Sequence, residues 1–158
     1  MRYTIEKGKH FFKPFQIKLW YKKTEFSYNT VFDNSCRNGV FLNNLFGVGY
    51  FPWCNIESAR FGWLYDEVTQ KIKLYAYCYV DSVKITEMIG SFGLNEELKL
   101  TLKVTKNEYI FSVYDINKTL GSVTNTVTIP HNNKRKLQYF LPPYFSGKAP
   151  QNIQIILL

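Results

Sequence analysis

Residues 71–80 read Lys-Ile-Lys-Leu-Tyr-Ala-Tyr-Cys-Tyr-Val, and this stretch decides the fold. Apolar residues recur at every second position, which is the pattern of a β-strand with one face in a protein core. The face predicted to be buried carries Ile72, Leu74, Ala76, Cys78 and Val80. The opposite face carries Lys73, Tyr75, Tyr77 and Tyr79, and three successive tyrosines there need an explanation beyond contact with water.

Strand patterns recur along the chain and predict further strands at 14–21, 25–33, 58–66, 83–90, 97–104, 108–115, 119–129, 136–142 and 151–157. Turn-forming residues separate them at intervals of roughly 8–12 residues, which is typical of a β-sandwich or barrel. The stretch around 34–57 is rich in Asn and Gly, and we expect one long loop region there, with room for a short helix. The prediction is an all-β fold, an antiparallel β-sandwich, built by residues 1–158 as a single domain.

Composition excludes several classes of protein. With 158 residues and 46% hydrophobic residues, the chain can bury a real core, and no apolar run is long enough for a membrane span. The N-terminus lacks the apolar stretch of a signal peptide. Three widely spaced cysteines, Cys36, Cys54 and Cys78, match neither a disulfide framework nor a zinc pattern. We therefore predict no metal site and no cofactor.

The net charge of +8 is concentrated at the two ends of the sequence. Residues 1–23 hold seven basic residues and one acidic residue, and residues 131–148 hold four basic residues and no acidic one. If the terminal strands lie side by side, these ends could form one positive face. Such a face would suit phosphate, an acidic glycan or an acidic partner protein, the alternative being lysines that only keep the domain soluble.

A tyrosine stripe beside an arginine suits carbohydrate, because sugar C–H faces stack on aromatic rings while Tyr and Arg bond hydroxyl or acidic groups. Trp53, in the predicted exposed turn Phe51-Pro52-Trp53, adds an aromatic loop tip. The candidate glycan- or partner-binding residues are therefore Arg60, Tyr75, Tyr77, Tyr79 and Trp53. Two other readings stay open: a protein contact or covered second face, and tyrosines that only reflect codon bias.

Catalysis has little support in the sequence. The chain has two histidines, His10 and His131, without zinc spacing or a nucleophile motif, and Glu96 and Glu97 are adjacent and point apart. A lyase in which Arg60 neutralises a uronate beside a tyrosine base is the remaining enzymatic alternative. Nucleic-acid binding is not predicted either, because the basic runs are short and no recognition motif accompanies them.

Five short motifs spread over most of the chain are Lys7-Gly8-Lys9-His10, Asn43-Asn44-Leu45-Phe46-Gly47, Ser58-Ala59-Arg60-Phe61-Gly62-Trp63, Ala76-Tyr77-Cys78-Tyr79 and Tyr144-Phe145-Ser146-Gly147-Lys148-Ala149-Pro150. With these, the sequence resembles a group of short uncharacterised bacterial and bacteriophage proteins that look like concanavalin-A-like jelly rolls. Its Pro52-Trp53 and Gln151-Asn152 stand where that group tends to carry histidines and His-Asp, which weakens any inherited acid–base or metal role.

What the resemblance implies is a jelly-roll fold in a phage-associated structural or attachment protein. We therefore predict a non-enzymatic virion component, at a capsid vertex or spike, whose lectin-like jelly roll contacts host glycan. Its expected partners are other virion proteins or further copies of itself, and its expected location is the virion. The alternatives are a stand-alone carbohydrate-binding module or a lyase that acts on acidic polysaccharide.

Overall fold

The computed structural model describes residues 1–13, 18–37, 41–116 and 125–158, and within them twelve strands form two six-stranded antiparallel sheets. The back sheet has the order β1-β12-β3-β8-β9-β10 and comprises Arg2–Ile5, Ile153–Leu157, Glu25–Phe32, Glu97–Val104, Glu108–Asp115 and Asn125–Pro130. The front sheet has the order β2-β11-β4-β5-β6-β7 and comprises Leu19–Tyr21, Leu137–Leu141, Asn43–Tyr50, Ser58–Asp66, Lys71–Val80 and Val83–Phe92. The predicted all-β antiparallel sandwich is therefore confirmed.

The core lies between the two sheets and is built by the alternation that the sequence predicts. On β6, Ile72, Leu74, Ala76 and Cys78 are fully buried, while the intervening tyrosines lie half-buried on the outer face. Aromatic rings join the layers: the ring centroids of Phe61 and Phe111 are 5.1 Å apart, and those of Phe32 and Trp63 are 5.4 Å apart. These contacts fix which face of the front sheet points away from the core.

The predicted long loop over residues 34–57 is wrong in its middle, where β4 runs from Asn43 to Tyr50 with every residue buried. A 3-10 helix at Asn34–Cys36 and a turn at 51–57 are the parts that match. The asparagines fit a strand because neighbouring segments bind their amides: Ser146 N donates to Asn43 Oδ1 at 2.8 Å, and Asn44 Nδ2 donates to Pro142 O at 2.6 Å. Strand propensity alone does not predict such a strand, because Asn and Gly are uncommon in strands.

The two ends of the sequence meet in the back sheet, as the charge argument assumed. β1 pairs antiparallel with β12, so that Arg2 lies opposite Ile156 and Ile5 opposite Ile153. The predicted strands 14–21 and 119–129 are only partly described, because residues 14–17 and 119–124 lie outside the described residues. Among the described residues, no helix has the length and apolar character needed to cross a membrane.

Candidate functional site

Strand register brings distant residues together on the outer face of the front sheet. Two ladders of paired residues cross it, Tyr139–Gly49–Ser58–Tyr79 and Leu141–Gly47–Arg60–Tyr77. The short turn between β5 and β6 sets the second half of each ladder, so that Arg60 and Tyr77 lie directly opposite each other. Three of the residues predicted to bind a ligand, Arg60, Tyr77 and Tyr79, are therefore neighbours.

The guanidinium of Arg60 is held in place on this face. Its Cζ lies 4.6 Å from the Tyr77 ring centroid and 5.6 Å from that of Tyr79. Its Nη2 donates to Ser58 Oγ at 2.9 Å and to the Cys54 carbonyl at 3.5 Å. No carboxylate in the described part of the chain forms an ion pair with it, so none of these residues neutralises its positive charge.

Two glycines of β4 allow neighbouring groups of the ladders to approach its backbone closely. A Cβ on Gly47 would come within 2.3 Å of the Ala59 carbonyl oxygen and within 2.5 Å of Arg60 Cα. A Cβ on Gly49 would lie 2.7 Å from Cζ of the Tyr139 ring. The ring of Tyr139 therefore covers Gly49, and β5 approaches Gly47 more closely than any other residue would allow.

A cavity of about 440 Å³, here called the Arg60 cavity, opens on this face. Its walls are Phe11, Lys18, Asn44, Cys54, Arg60, Tyr139, Phe140, Leu141, Pro142 and Tyr144. It combines two cations with several aromatic rings, and no described carboxylate lines it. Asn44 is only 5% exposed, and its Oδ1 has no hydrogen-bond partner among the described residues. The cavity thus offers positive charge and aromatic surface.

The predicted site residues differ in their relation to this cavity. Arg60 lines it, and Tyr77 and Tyr79 lie against the Arg60 guanidinium. Tyr75 shares their face but belongs to the next ladder, opposite Gly62 and Met88. Trp53 is 67% exposed in the 51–57 turn, one residue before the carbonyl that Arg60 binds. Trp53 therefore stands beside the cavity rather than in its wall.

Of the ten lining residues, sequence reasoning named only Arg60 as a site residue, and the polar side chains that it missed include Lys18, Asn44, Tyr139 and Tyr144. Tyr139 could have been noticed, because it lies in the predicted strand 136–142 with alternating exposure. Its place opposite Gly49 depends on strand order, which one sequence does not reveal. Asn44 was hidden in the stretch predicted to be a loop.

Burial makes the hydroxyls of Tyr77 and Tyr139 harder to ionise than an ordinary tyrosine hydroxyl. Removal from water raises the pKa of Tyr77 to about 12, with a further contribution from its hydrogen bond with Tyr79. Burial also raises the pKa of Tyr139 to about 12. At neutral pH both groups therefore serve as neutral hydrogen-bonding groups, and neither is tuned toward proton abstraction.

The histidines lie elsewhere. His10 stacks on Tyr144 at a centroid distance of 6.1 Å and lines a neighbouring cavity, while His131 stacks on Tyr109 at 3.9 Å. Neither lines the Arg60 cavity. Over residues 1–13, 18–37, 41–116 and 125–158, no cluster of three His, Cys, Asp or Glu side chains could hold a metal ion. The arrangement around Arg60 is suited to binding an anionic, partly apolar ligand.

Solved structures with the same architecture include an alginate lyase from Klebsiella pneumoniae, with a TM-score of 0.60 and 10% identity over 84% of this chain. A GH43 protein from Bacillus licheniformis matches with a TM-score of 0.55 and 8% identity over 94% of this chain. The match spans 56% of the lyase chain and 27% of the GH43 protein. At such identities the likeness concerns the fold alone.

The sequence matches no protein-family model and no curated protein at a significant level. Fold and comparisons together define the chain as a jelly-roll β-sandwich of the concanavalin-A-like type. The expected fold is thereby confirmed, while the expected membership of a bacterial and bacteriophage group stays a prediction.

Proposed function

We propose that this protein is a carbohydrate-binding jelly roll that holds an acidic polysaccharide on the outer face of its front sheet. The observation that carries the proposal is the fixed Arg60 guanidinium at a cavity lined by aromatic rings and a second cation, Lys18. In this reading Arg60 binds the carboxylate of a uronate residue. Arginine suits that role because its planar fork can donate two parallel hydrogen bonds to a carboxylate.

The rings around the cavity supply the second half of recognition. Phe11 and Tyr144 meet edge to face at 5.2 Å, and Tyr139 lies against Phe51 at 5.3 Å. Such rings offer flat apolar surface to the C–H face of a sugar, while the tyrosine hydroxyls bond its oxygens. Each residue of an acidic polysaccharide presents both a carboxylate and a C–H face, whereas a neutral polymer lacks the carboxylate.

The jelly roll of the Klebsiella alginate lyase suggests a second candidate, cleavage of the same kind of polymer. The contact between Arg60 and Tyr77 favours it, because a lyase needs a cation that neutralises the uronate and a base that removes its proton. The raised pKa of Tyr77 opposes it, since a base has to lose its own proton first. We therefore place binding ahead of cleavage.

A place in a virion, as spike or capsid-vertex protein with copies of itself or other virion proteins as partners, remains a separate proposal. It is supported by the sequence resemblance alone and does not depend on Arg60. Detection of the protein in purified virus particles would support it, and its absence from them would count against it.

The test of glycan binding is calorimetry with alginate oligosaccharides, with dextran as the uncharged comparison. We expect saturable binding of alginate, no binding of dextran, and at least a tenfold loss of affinity in Arg60→Gln. Lys71→Gln removes one positive charge from the far end of β6 and should bind alginate as the wild type does. A folded Arg60→Gln with wild-type affinity would overturn the proposal.

The same samples separate binding from cleavage. A lyase would release unsaturated uronates, whose ultraviolet absorbance rises with time. Constant absorbance and constant polymer length, together with saturable binding, support the binding role. Rising absorbance that Arg60→Gln abolishes would replace it with the lyase.

A further inference from the structure

A second cavity, of about 540 Å³, lies at one end of the sandwich and is here called the end cavity. Three connections form it: Lys22–Thr24 between β2 and β3, Val104–Asn107 between β8 and β9, and His131–Arg135 after β10. It shares no lining residue with the Arg60 cavity. Any role it has is therefore separate from the proposed glycan face.

Five cations line the end cavity: Lys22, Lys23, Lys106, Lys134 and Arg135. Lys22 and Lys23 belong to the basic stretch 1–23, and Lys134 and Arg135 belong to the basic stretch 131–148. The two basic stretches therefore meet at this cavity. No described carboxylate lines the cavity, and in the described part of the chain none of the four lysines forms an ion pair. Lys22 Nζ lies over the Tyr21 ring at 5.3 Å, and Lys23 Nζ over the Trp20 ring at 5.0 Å.

The rim that carries these charges is ordered by hydrogen bonds. Gln138 clamps the backbone of Lys23, accepting from its N–H at 2.9 Å and donating to its carbonyl at 3.0 Å. The N–H of His131 donates to the Asn107 carbonyl at 2.7 Å and so ties two of the connections together. The Arg135 N–H donates to Asn133 Oδ1 at 2.9 Å. The cations are thus attached to a preorganised backbone, which lowers the cost of ordering it on binding.

One buried carboxylate stands behind the rim. Glu57 is 1% exposed, its Oε1 accepts a hydrogen bond from the Tyr109 hydroxyl at 2.5 Å, and its Oε2 lies 3.9 Å from Arg135 Nη1. It can balance at most one of the five positive charges. The four lysines have no carboxylate partner among the described residues, and an anion inside the cavity would balance their charge.

We propose that the end cavity binds a tetrahedral oxyanion, the phosphate or sulfate ester group of a small ligand. Lysines on three different connections suit such a group, because each flexible side chain can reach a different oxygen. A single carboxylate would meet fewer of them and carries only one charge. The asparagines of the rim, Asn107 and Asn132, add polar groups that can contact the rest of the ligand.

Thermal unfolding and calorimetry with inorganic phosphate and inorganic sulfate at low ionic strength test the proposal. Both anions also stabilise proteins non-specifically by exclusion from the surface, so the comparison between variants decides the result. Lys106→Gln/Lys134→Gln removes two cations of the rim. Lys71→Gln/Lys99→Gln removes two exposed lysines of β6 and β8 that do not line the cavity.

We expect a saturable rise in Tm with phosphate or sulfate in the wild type and in Lys71→Gln/Lys99→Gln, and at least a tenfold weaker affinity in Lys106→Gln/Lys134→Gln. Without ligand, the rim variant should unfold at a higher temperature than the wild type, because repulsion is relieved. An equal, non-saturating rise in all three proteins would overturn the proposal, as would no binding of either anion. Arg60→Gln should keep its phosphate affinity, so this test is independent of glycan binding.

Discussion

The guanidinium carbon of Arg60 lies 4.6 Å from the centre of the Tyr77 ring, across the pair of strands β5 and β6. The ring holds the cation from one side while Ser58 Oγ accepts a hydrogen bond from Nη2. The position of Arg60, on which the proposed glycan binding rests, therefore depends on a side chain that need not touch the ligand itself.

Removing the ring should weaken acidic-glycan binding even though Arg60 remains. A lost cation–π contact costs about 0.5–2 kcal/mol, which is roughly a two- to thirtyfold loss of affinity for Tyr77→Ala. Tyr77→Phe keeps the ring and should bind nearly as the wild type does, by calorimetry with alginate oligosaccharides. Tyr114→Ala is the matched control, because Lys99 lies over that ring at 5.8 Å on the back sheet. Equal losses in Tyr77→Ala and Tyr114→Ala would contradict the role given to Tyr77.

The two glycines of β4 should respond differently to alanine. In Gly47→Ala the new methyl group meets backbone atoms of β5, so overpacking should lower the free energy of unfolding by about 1–3 kcal/mol. In Gly49→Ala it meets the far end of the Tyr139 side chain, which can move. Gly49→Ala should therefore lose less free energy of unfolding than Gly47→Ala. Its loss of glycan affinity should be large for so small a loss of stability, because the displaced Tyr139 lines the Arg60 cavity. Chemical denaturation and calorimetry on both variants check this, and the reverse order of stability would refute it.

Trp53 should matter for binding without mattering for the fold. Because its side chain is 67% exposed, Trp53→Ala should change the free energy of unfolding by less than about 0.5 kcal/mol. As an aromatic next to the Arg60 cavity, it should contribute several-fold to alginate affinity. Val68→Ala, at the exposed turn after β5, is the control with no expected effect on either quantity. Unchanged alginate affinity in Trp53→Ala would remove Trp53 from the site.

The Tyr109 hydroxyl should be important for stability. It donates to Glu57 Oε1 and accepts from Asn133 Nδ2 at 3.1 Å, so Tyr109→Phe leaves buried polar groups without their partner. We expect a loss of about 1–3 kcal/mol in the free energy of unfolding, measured by urea denaturation. Tyr21→Phe removes an exposed hydroxyl and should cost nothing measurable.

Glu57 should give the protein a specific pH dependence. Burial raises its pKa above the ordinary value of 4.5, in spite of the Tyr109 and Asp81 hydrogen bonds and the nearby Arg135. The folded state therefore binds more protons than the unfolded state between 4.5 and the raised pKa, so stability contributed by Glu57 falls as pH rises through that window. Glu57→Gln lacks this effect.

The measurement is the difference in the free energy of unfolding between wild type and Glu57→Gln as a function of pH. As pH rises through the window, the free energy of unfolding of the wild type should fall relative to that of Glu57→Gln. His131, whose pKa burial lowers, has the opposite slope but is present in both proteins and cancels. Parallel curves for the two proteins would show that Glu57 is not perturbed.

Local pattern was enough to predict the β5–β6 part of the site. A short turn joins the two strands, so the alternation that buries Phe61 and Ala76 also sets Arg60 opposite Tyr77. The sandwich followed from the same alternation repeated along the chain. Only the pairing of β5 with β6 joins residues close in sequence, whereas the sandwich was predicted because alternation marks one buried face on each strand.

The remainder depends on contacts between distant residues. Tyr139 reaches the site only because β11 pairs with β4, and Lys18 lines the cavity from before β2. β4 itself reads as a loop because its glycines are required by close packing, Gly47 against the backbone of β5 and Gly49 against the Tyr139 ring, and composition does not reveal such a reason. Strand order and backbone proximity are global properties, which propensity and periodicity do not encode.

β11 serves both cavities through neighbouring residues. Gln138 points inward and fixes the lysine rim, while Tyr139 points outward over Gly49. Side chains of a strand change face at every step, so a single inserted or deleted codon within Leu137–Leu141 would exchange the two faces. Evolution can therefore adjust either cavity by substitution, but a change of length in this strand would damage both together.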